Sequence, residues 1–91
     1  MGGARLRIPD DVVGLIRGLH PDLRKKVRVA LQVILNDPGS GKALKEELAG
    51  FRSYRVGRFR IIYRLKSDLV EVVAIGPRRV IYLETYRRIR R

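Results

Sequence analysis

Ninety-one residues, 45% of them hydrophobic, suffice for one packed domain and leave no room for a second core. The chain has no cysteine, one histidine and no cluster of acids, which excludes disulfides, thiolate metal sites and a transition-metal site. Lys and Arg number 21 against 9 acids, a formal net charge of +12, and no apolar run approaches bilayer-spanning length. The expectation is a single domain over residues 1–91 of a soluble, cytoplasmic protein, with residues 1–4 a flexible leader without a signal-peptide pattern.

The charge is lopsided. Residues 1–50 carry 9 basic and 6 acidic side chains, residues 51–91 carry 12 and 3, and in the second half every basic residue but Lys66 is an arginine. The planar guanidinium fork matches phosphate oxygens, so this bias points to a polyanion, nucleic acid first. An acidic protein partner, or the base composition of the genome, accounts for the same excess.

In chain order, Arg5-Leu6-Arg7-Ile8 alternates polar and apolar and predicts a short strand. Pro9-Asp10-Asp11 starts a helix whose buried stripe is Val12, Val13, Ile16 and Leu19. Gly18 and His20-Pro21 close it, and Asp22 is placed to cap a second helix that runs to Asn36. There Leu23, Val27, Ala30, Leu31 and Ile34 recur at helical spacing, with Arg24, Lys25, Arg28 and Gln32 facing water. Asn36-Asp37-Pro38-Gly39-Ser40-Gly41 is a stop and a loop, and residues 43–49 suggest one or two helical turns.

From Phe51 the period changes to two, which predicts strands at 52–56, 59–66 and 69–75 and a short helix or basic tail at 82–91. Gly57-Arg58 suits a two-residue hairpin turn with glycine at its first central position. That turn pairs Val56 with Phe59, Arg55 with Arg60, Tyr54 with Ile61 and Ser53 with Ile62. It sets Tyr54, Val56, Phe59, Ile61, Tyr63 and Leu65 on a core face beneath the helices. Ser53, Arg55, Arg60, Ile62 and Arg64 take the opposite face. A second turn at Ser67-Asp68 would set Arg64 opposite Glu71 and Arg60 opposite Ile75. Arg55 facing Arg60 disfavours a sheet unless both side chains splay into water or an anion sits between them; Arg78, after Ile75-Gly76-Pro77, is placed to join them, which favours the anion.

Leu48-Ala49-Gly50-Phe51-Arg52-Ser53-Tyr54-Arg55-Val56-Gly57-Arg58-Phe59-Arg60-Ile61-Ile62-Tyr63 resembles the RelE/ParE toxin pattern L-x-G-x-x-x-x-R-x-G-x-x-R-[IVL]-[IV]-Y. Ala74-Ile75-Gly76-Pro77-Arg78-Arg79-Val80-Ile81-Tyr82 is similar to the closing I-G-x-R-x-x-x-Y of the same superfamily. The resemblance implies an α+β fold, a small antiparallel sheet with the N-terminal helical hairpin on one face. RelE-like members enter the ribosomal A site and cut messenger RNA, the 2′-hydroxyl attacking the adjacent phosphate to leave a cyclic phosphate without metal. ParE-like members poison DNA gyrase and lack the ribonuclease residues.

Arg55, Arg60, Arg78 and Tyr82 match the RelE-like catalytic positions, which favours the ribonuclease branch. By the resemblance, Arg60 and Arg78 stabilise the phosphate, Arg78 also assists the leaving oxygen, and Arg55 takes the place of a basic residue that activates the 2′-hydroxyl. Because a guanidinium keeps its proton and makes a poor general base, its role reads as electrostatic. Tyr82 fits stacking on a base or orienting the phosphate, and equally plain packing at the sheet edge. Lys45, Arg52, Arg58, Arg64 and Arg79 are the expected RNA-binding residues. One departure is Ser53, where many RelE-like chains carry a second lysine, with Arg52, Arg58 and Arg79 near enough to compensate. His20 reads as a turn residue. No cofactor or metal is expected; the implied partners are messenger RNA, the ribosomal A site and an acidic antitoxin that neutralises the basic groove. A gyrase-directed inhibitor and a non-catalytic RNA-binding relative are the rival readings.

Overall fold

The computed structural model describes residues 5–90, so the leader expected at residues 1–4 lies outside the described residues. Five strands form one sheet: β1 (Arg5–Arg7), β2 (Lys42–Ala43), β3 (Arg52–Val56), β4 (Phe59–Lys66) and β5 (Leu69–Pro77), in the order β1-β5-β4-β3-β2. The helices are α1 (Asp10–Arg17), α2 (Pro21–Asn36) and α3 (Arg78–Ile89). The fold is α+β as expected, but β1 runs parallel to β5, so the sheet is antiparallel in all but that pairing. Among the described residues no helix is long and apolar enough to cross a membrane.

The β3–β4 hairpin has the expected register, Val56↔Phe59, Arg55↔Arg60, Tyr54↔Ile61 and Ser53↔Ile62. Gly57 takes φ +60, the sign that a glycine at the first central position of such a turn supplies without strain. On the face toward α1 and α2, Val56, Ile61 and Tyr63 pack with Val12, Val27, Ala30, Leu31 and Ile34, flanked by Tyr54 and Phe59. Leu65 departs from expectation: it is 48% exposed, because it lies one residue from the end of β4 and outside this helix-covered core.

Four other expectations are corrected. Between β4 and β5 the register slips at Ile62/Tyr63, Val73 being the extra residue, so Arg60 faces Gly76 rather than Ile75, while Arg64 does face Glu71. The face opposite α1 and α2 is partly covered by α3, which begins at Arg78 instead of Tyr82. Ile81 packs there on Phe51, Ile62 and Ala74 in a second, smaller core. Of the turns expected over 43–49, only a 3-10 turn at Glu46–Leu48 forms, because Lys42–Ala43 pairs with β3 as an edge strand. Finally, Pro21 occupies the first position of α2, so the cap is His20, whose Nδ1 accepts from the Asp22 amide at 3.2 Å, and not Asp22.

Tyr63 ties the loop before β2 to the sheet. Its buried hydroxyl accepts from the Gly41 amide at 2.9 Å and donates to the Pro38 carbonyl at 2.7 Å. A Cβ on Gly41 would stand 2.5 Å from that hydroxyl, so the close approach requires glycine. Tyr63→Phe strands both backbone groups and is expected to cost about 1–3 kcal/mol in urea unfolding, with faster hydrogen exchange at the Gly41 amide. Unchanged stability and exchange would show that the loop is held by other contacts.

Candidate active site

The site grows from two arginines on facing strands. Arg55 of β3 stands opposite Arg60 of β4, a like-charge pair that costs a sheet roughly 0.2–1 kcal/mol. Beyond Arg60 the neighbouring strand offers Gly76, which has no side chain to fill the space. A Cβ on Gly76 would stand 3.2 Å from Ile81 Cδ1, so this glycine also lets α3 settle on the sheet.

α3 brings the remaining groups. Pro77 gives its N-terminus no side-chain cap, and its first turn holds no acid but Arg78 and Arg79. The Arg78 amide donates to the Arg58 carbonyl at 3.3 Å, joining the hairpin turn to the helix start. Cations at the positive end of a helix dipole are disfavoured by about 0.3–1 kcal/mol each, a cost that a bound anion offsets. Tyr82 follows Arg78 by four residues and so shares its face of the helix. Its hydroxyl lies 3.2 Å from Ser53 Oγ on β3.

These side chains enclose a cleft of about 250 Å³ lined by Lys42, Ser53, Arg55, Arg60, Arg78 and Tyr82. A second space of about 330 Å³ shares the Arg55, Arg60 and Arg78 walls and adds Gly57, Arg58, Pro77 and Arg79. Among the described residues no acid lines either space, so the summed field attracts an anion. Burial of the Tyr82 phenol raises its pKa, but hydrogen bonding to Ser53 and the donor and charge of Arg60, with the charge of Arg78, outweigh it. The phenol therefore falls below its ordinary value of 10.

All four expected catalytic residues, together with Arg58 and Arg79, thus surround these two spaces. Three expected RNA-binding residues lie elsewhere. Arg64 donates from Nε to Glu71 at 2.7 Å and stacks on Phe51 in a different cavity. Arg52 donates to the Gly41 carbonyl at 2.7 Å, and Lys45 is exposed and lines neither space. Sequence reasoning missed Lys42, which pairs opposite Ser53 and supplies a cation at the place where Ser53 lacks one. A two-residue strand carries no periodicity, so nothing in the sequence signals that pairing. It also missed what fixes α3: Arg88 binds the Asp11 carboxylate and donates to the Val73 carbonyl at 3.2 Å. Its hydrogen bond holds Asp11 below the usual carboxylate range, burial opposing.

Residues 10–82 match the family model described as ParE toxin of type II toxin-antitoxin system, parDE. Similar solved structures include the toxin-antitoxin complex RelBE2 from Mycobacterium tuberculosis, at 26% identity, 85% of this chain, 100% of that chain and TM-score 0.72. A mutant of the Escherichia coli toxin RelE in the free state aligns at 16% identity over 96% of this chain and 94% of its own, with TM-score 0.76. The archaeal RelE-RelB complex from Pyrococcus horikoshii aligns at 20% identity over 82% of this chain and 94% of that one, TM-score 0.68. No curated protein matches the chain in sequence.

The depressed Tyr82 pKa carries a linked stability that is fully present above the ordinary value of 10 and lost as pH falls through the lowered one. In a spectrophotometric alkaline titration, assigned with Tyr82→Phe, Arg60→Ala is expected to move the Tyr82 midpoint upward. A midpoint identical to the parent's would mean that Arg60 does not act on the phenol.

Proposed function

The chain belongs to the ParE toxin family, within the RelE/ParE superfamily of type II toxins, and we propose that it is the toxin of a toxin–antitoxin pair which, on the character of its cleft, cuts messenger RNA at the ribosomal A site. The observation that carries this reading is the acid-free cleft in which Lys42, Arg55, Arg60 and Arg78 converge beside Tyr82.

The chemistry needs positive groups around a phosphate that gains charge in the transition state. The 2′-oxygen bonds to phosphorus, the bond to the 5′-oxygen breaks, and the products are a 2′,3′-cyclic phosphate and a 5′-hydroxyl. The proton of the 2′-hydroxyl leaves to water, and the departing 5′-oxygen takes one back. Arg60 and Arg78 meet the non-bridging oxygens, Arg78 also bonding to the leaving oxygen. Arg55 and Lys42 lower the cost of the 2′-oxyanion. A guanidinium keeps its proton and does not act as a base, so the protein acts mainly through charge and placement. A cleft walled by cations repels a divalent metal, which makes the proposed reaction metal-independent. The ribosome supplies the alignment of transcript that such a site lacks.

The formal charge of +12 suits an acidic antitoxin as partner, consistent with the RelE-RelB and RelBE2 complexes to which the fold is similar. One observation favours a second reading, inhibition of DNA gyrase: the matched family is described as ParE toxin.

With ribosomes present, the purified chain is expected to cleave transcript in the presence of chelator, while gyrase supercoiling in a parallel assay proceeds. Arg60→Ala and Arg78→Ala are expected to abolish growth arrest with the fold intact, and Lys42→Ala to slow cleavage about ten- to a hundredfold. Intact transcripts with inhibited supercoiling would assign the chain to the gyrase reading, and inactivity in both assays to a non-catalytic relative.

A further inference from the structure

The cleft is double. Its two spaces share Arg55, Arg60 and Arg78, and the rest of their walls differ in kind. One side has Ser53 and Tyr82, two hydroxyls and an aromatic ring, beside Lys42. The other adds only Gly57, Arg58, Pro77 and Arg79, with no aromatic ring and no neutral polar side chain.

A single phosphodiester, with one negative charge, is already met by the three shared arginines. It leaves Arg58 and Arg79 as two further cations with no acid lining the space. Neither is there by chance of a wandering loop. Arg58 sits in the two-residue turn of the β3–β4 hairpin, and its carbonyl accepts from the first amide of α3, one residue before Arg79. A turn and a helix start are thus locked together so that both guanidiniums border the same space. Such a space, lined by five arginines and, among the described residues, by no acid, suits an anion.

We propose that Arg58 and Arg79 form a second phosphate subsite, so that the chain grips two consecutive phosphates of one strand. The reacting phosphate lies on the shared arginines and the nucleoside on the Tyr82 side. This rests on the endoribonuclease reading and adds to it a minimal substrate: a diester that carries a flanking phosphate.

The test uses the whole chain and uncleavable 2′-deoxy dinucleotides at physiological salt, where unspecific attraction is screened. Affinity for the dinucleotide with a bare end is compared with affinity for the same molecule phosphorylated at its 5′ or its 3′ end. One of the two phosphorylated forms is expected to bind about tenfold tighter than the bare form. In an Arg58→Ala, Arg79→Ala double variant, shown folded by circular dichroism, that ratio falls to about one. Lys42→Ala retains the ratio although it weakens both ligands. No gain from either terminal phosphate, or a gain that survives in the double variant, overturns the second subsite. If Arg60→Ala weakens the bare dinucleotide while the terminal phosphate adds nothing, only the second subsite fails. If binding of every dinucleotide is indifferent to Arg60→Ala, the endoribonuclease reading fails and the subsite with it.

Discussion

The two-residue turn at Gly57 constrains the rest of the site. With side chains alternating across a strand, a slip of one residue would carry Arg55 and Arg60 into the apolar face and turn Val56 and Ile61 outward. The burial of Val56, Ile61 and Tyr63 against α2 therefore holds the arginines on the other side, in a pairing that their own charges oppose. Hydrophobic burial enforces the electrostatic conflict, and an anion can relieve it. Repulsion of this sort is tolerable because its cost, roughly 1 kcal/mol or less, is small beside the burial of several large side chains at about 1.5–3 kcal/mol each.

The other walls of the cleft come from segments that have little packing of their own and are held by directed bonds. β2 is two residues long, and the loop before it depends on Tyr63 and Arg52, which bond to Pro38 and Gly41. Those bonds set the position of Lys42. α3 rests on a small apolar patch around Ile81 and is fastened near its far end by Arg88. Its near end delivers Arg78 and Tyr82 over the sheet. The cleft is thus a meeting of the β3–β4 hairpin, β2 and α3.

Legibility in the sequence followed the same physics. The hairpin register could be read because a glycine turn and the alternation of Tyr54-Arg55-Val56 with Phe59-Arg60-Ile61 agree. Across Val70, Val72, Val73, Ala74 and Ile75 alternation fails, since both faces of β5 are covered. The bulge at Val73 therefore left no trace, and Arg60 was expected opposite the wrong residue. The start of α3 was hidden for a related reason. Arg78-Arg79 contradicts the usual preference for acids in a first turn, and Val80, Ile81, Leu83 and Ile89 do not line one stripe. The same irregularity that concealed the helix start is what brings cations to the cleft. Arg55, Arg60, Arg78 and Tyr82 could be named in advance from spacing and resemblance, whereas Lys42 required the three-dimensional pairing of a strand too short to announce itself.

The central claim is that this cleft stabilises attack by a 2′-hydroxyl on the neighbouring phosphate. The most direct measurement is the chemistry of the ends left on a ribosome-bound transcript, by mass spectrometry, alongside a transcript with a single 2′-deoxy nucleotide at the cut position. The account predicts a 2′,3′-cyclic phosphate and a 5′-hydroxyl from the natural transcript, and no cut at the 2′-deoxy position. A 3′-hydroxyl with a 5′-phosphate, or cleavage undiminished by the 2′-deoxy substitution, would contradict it.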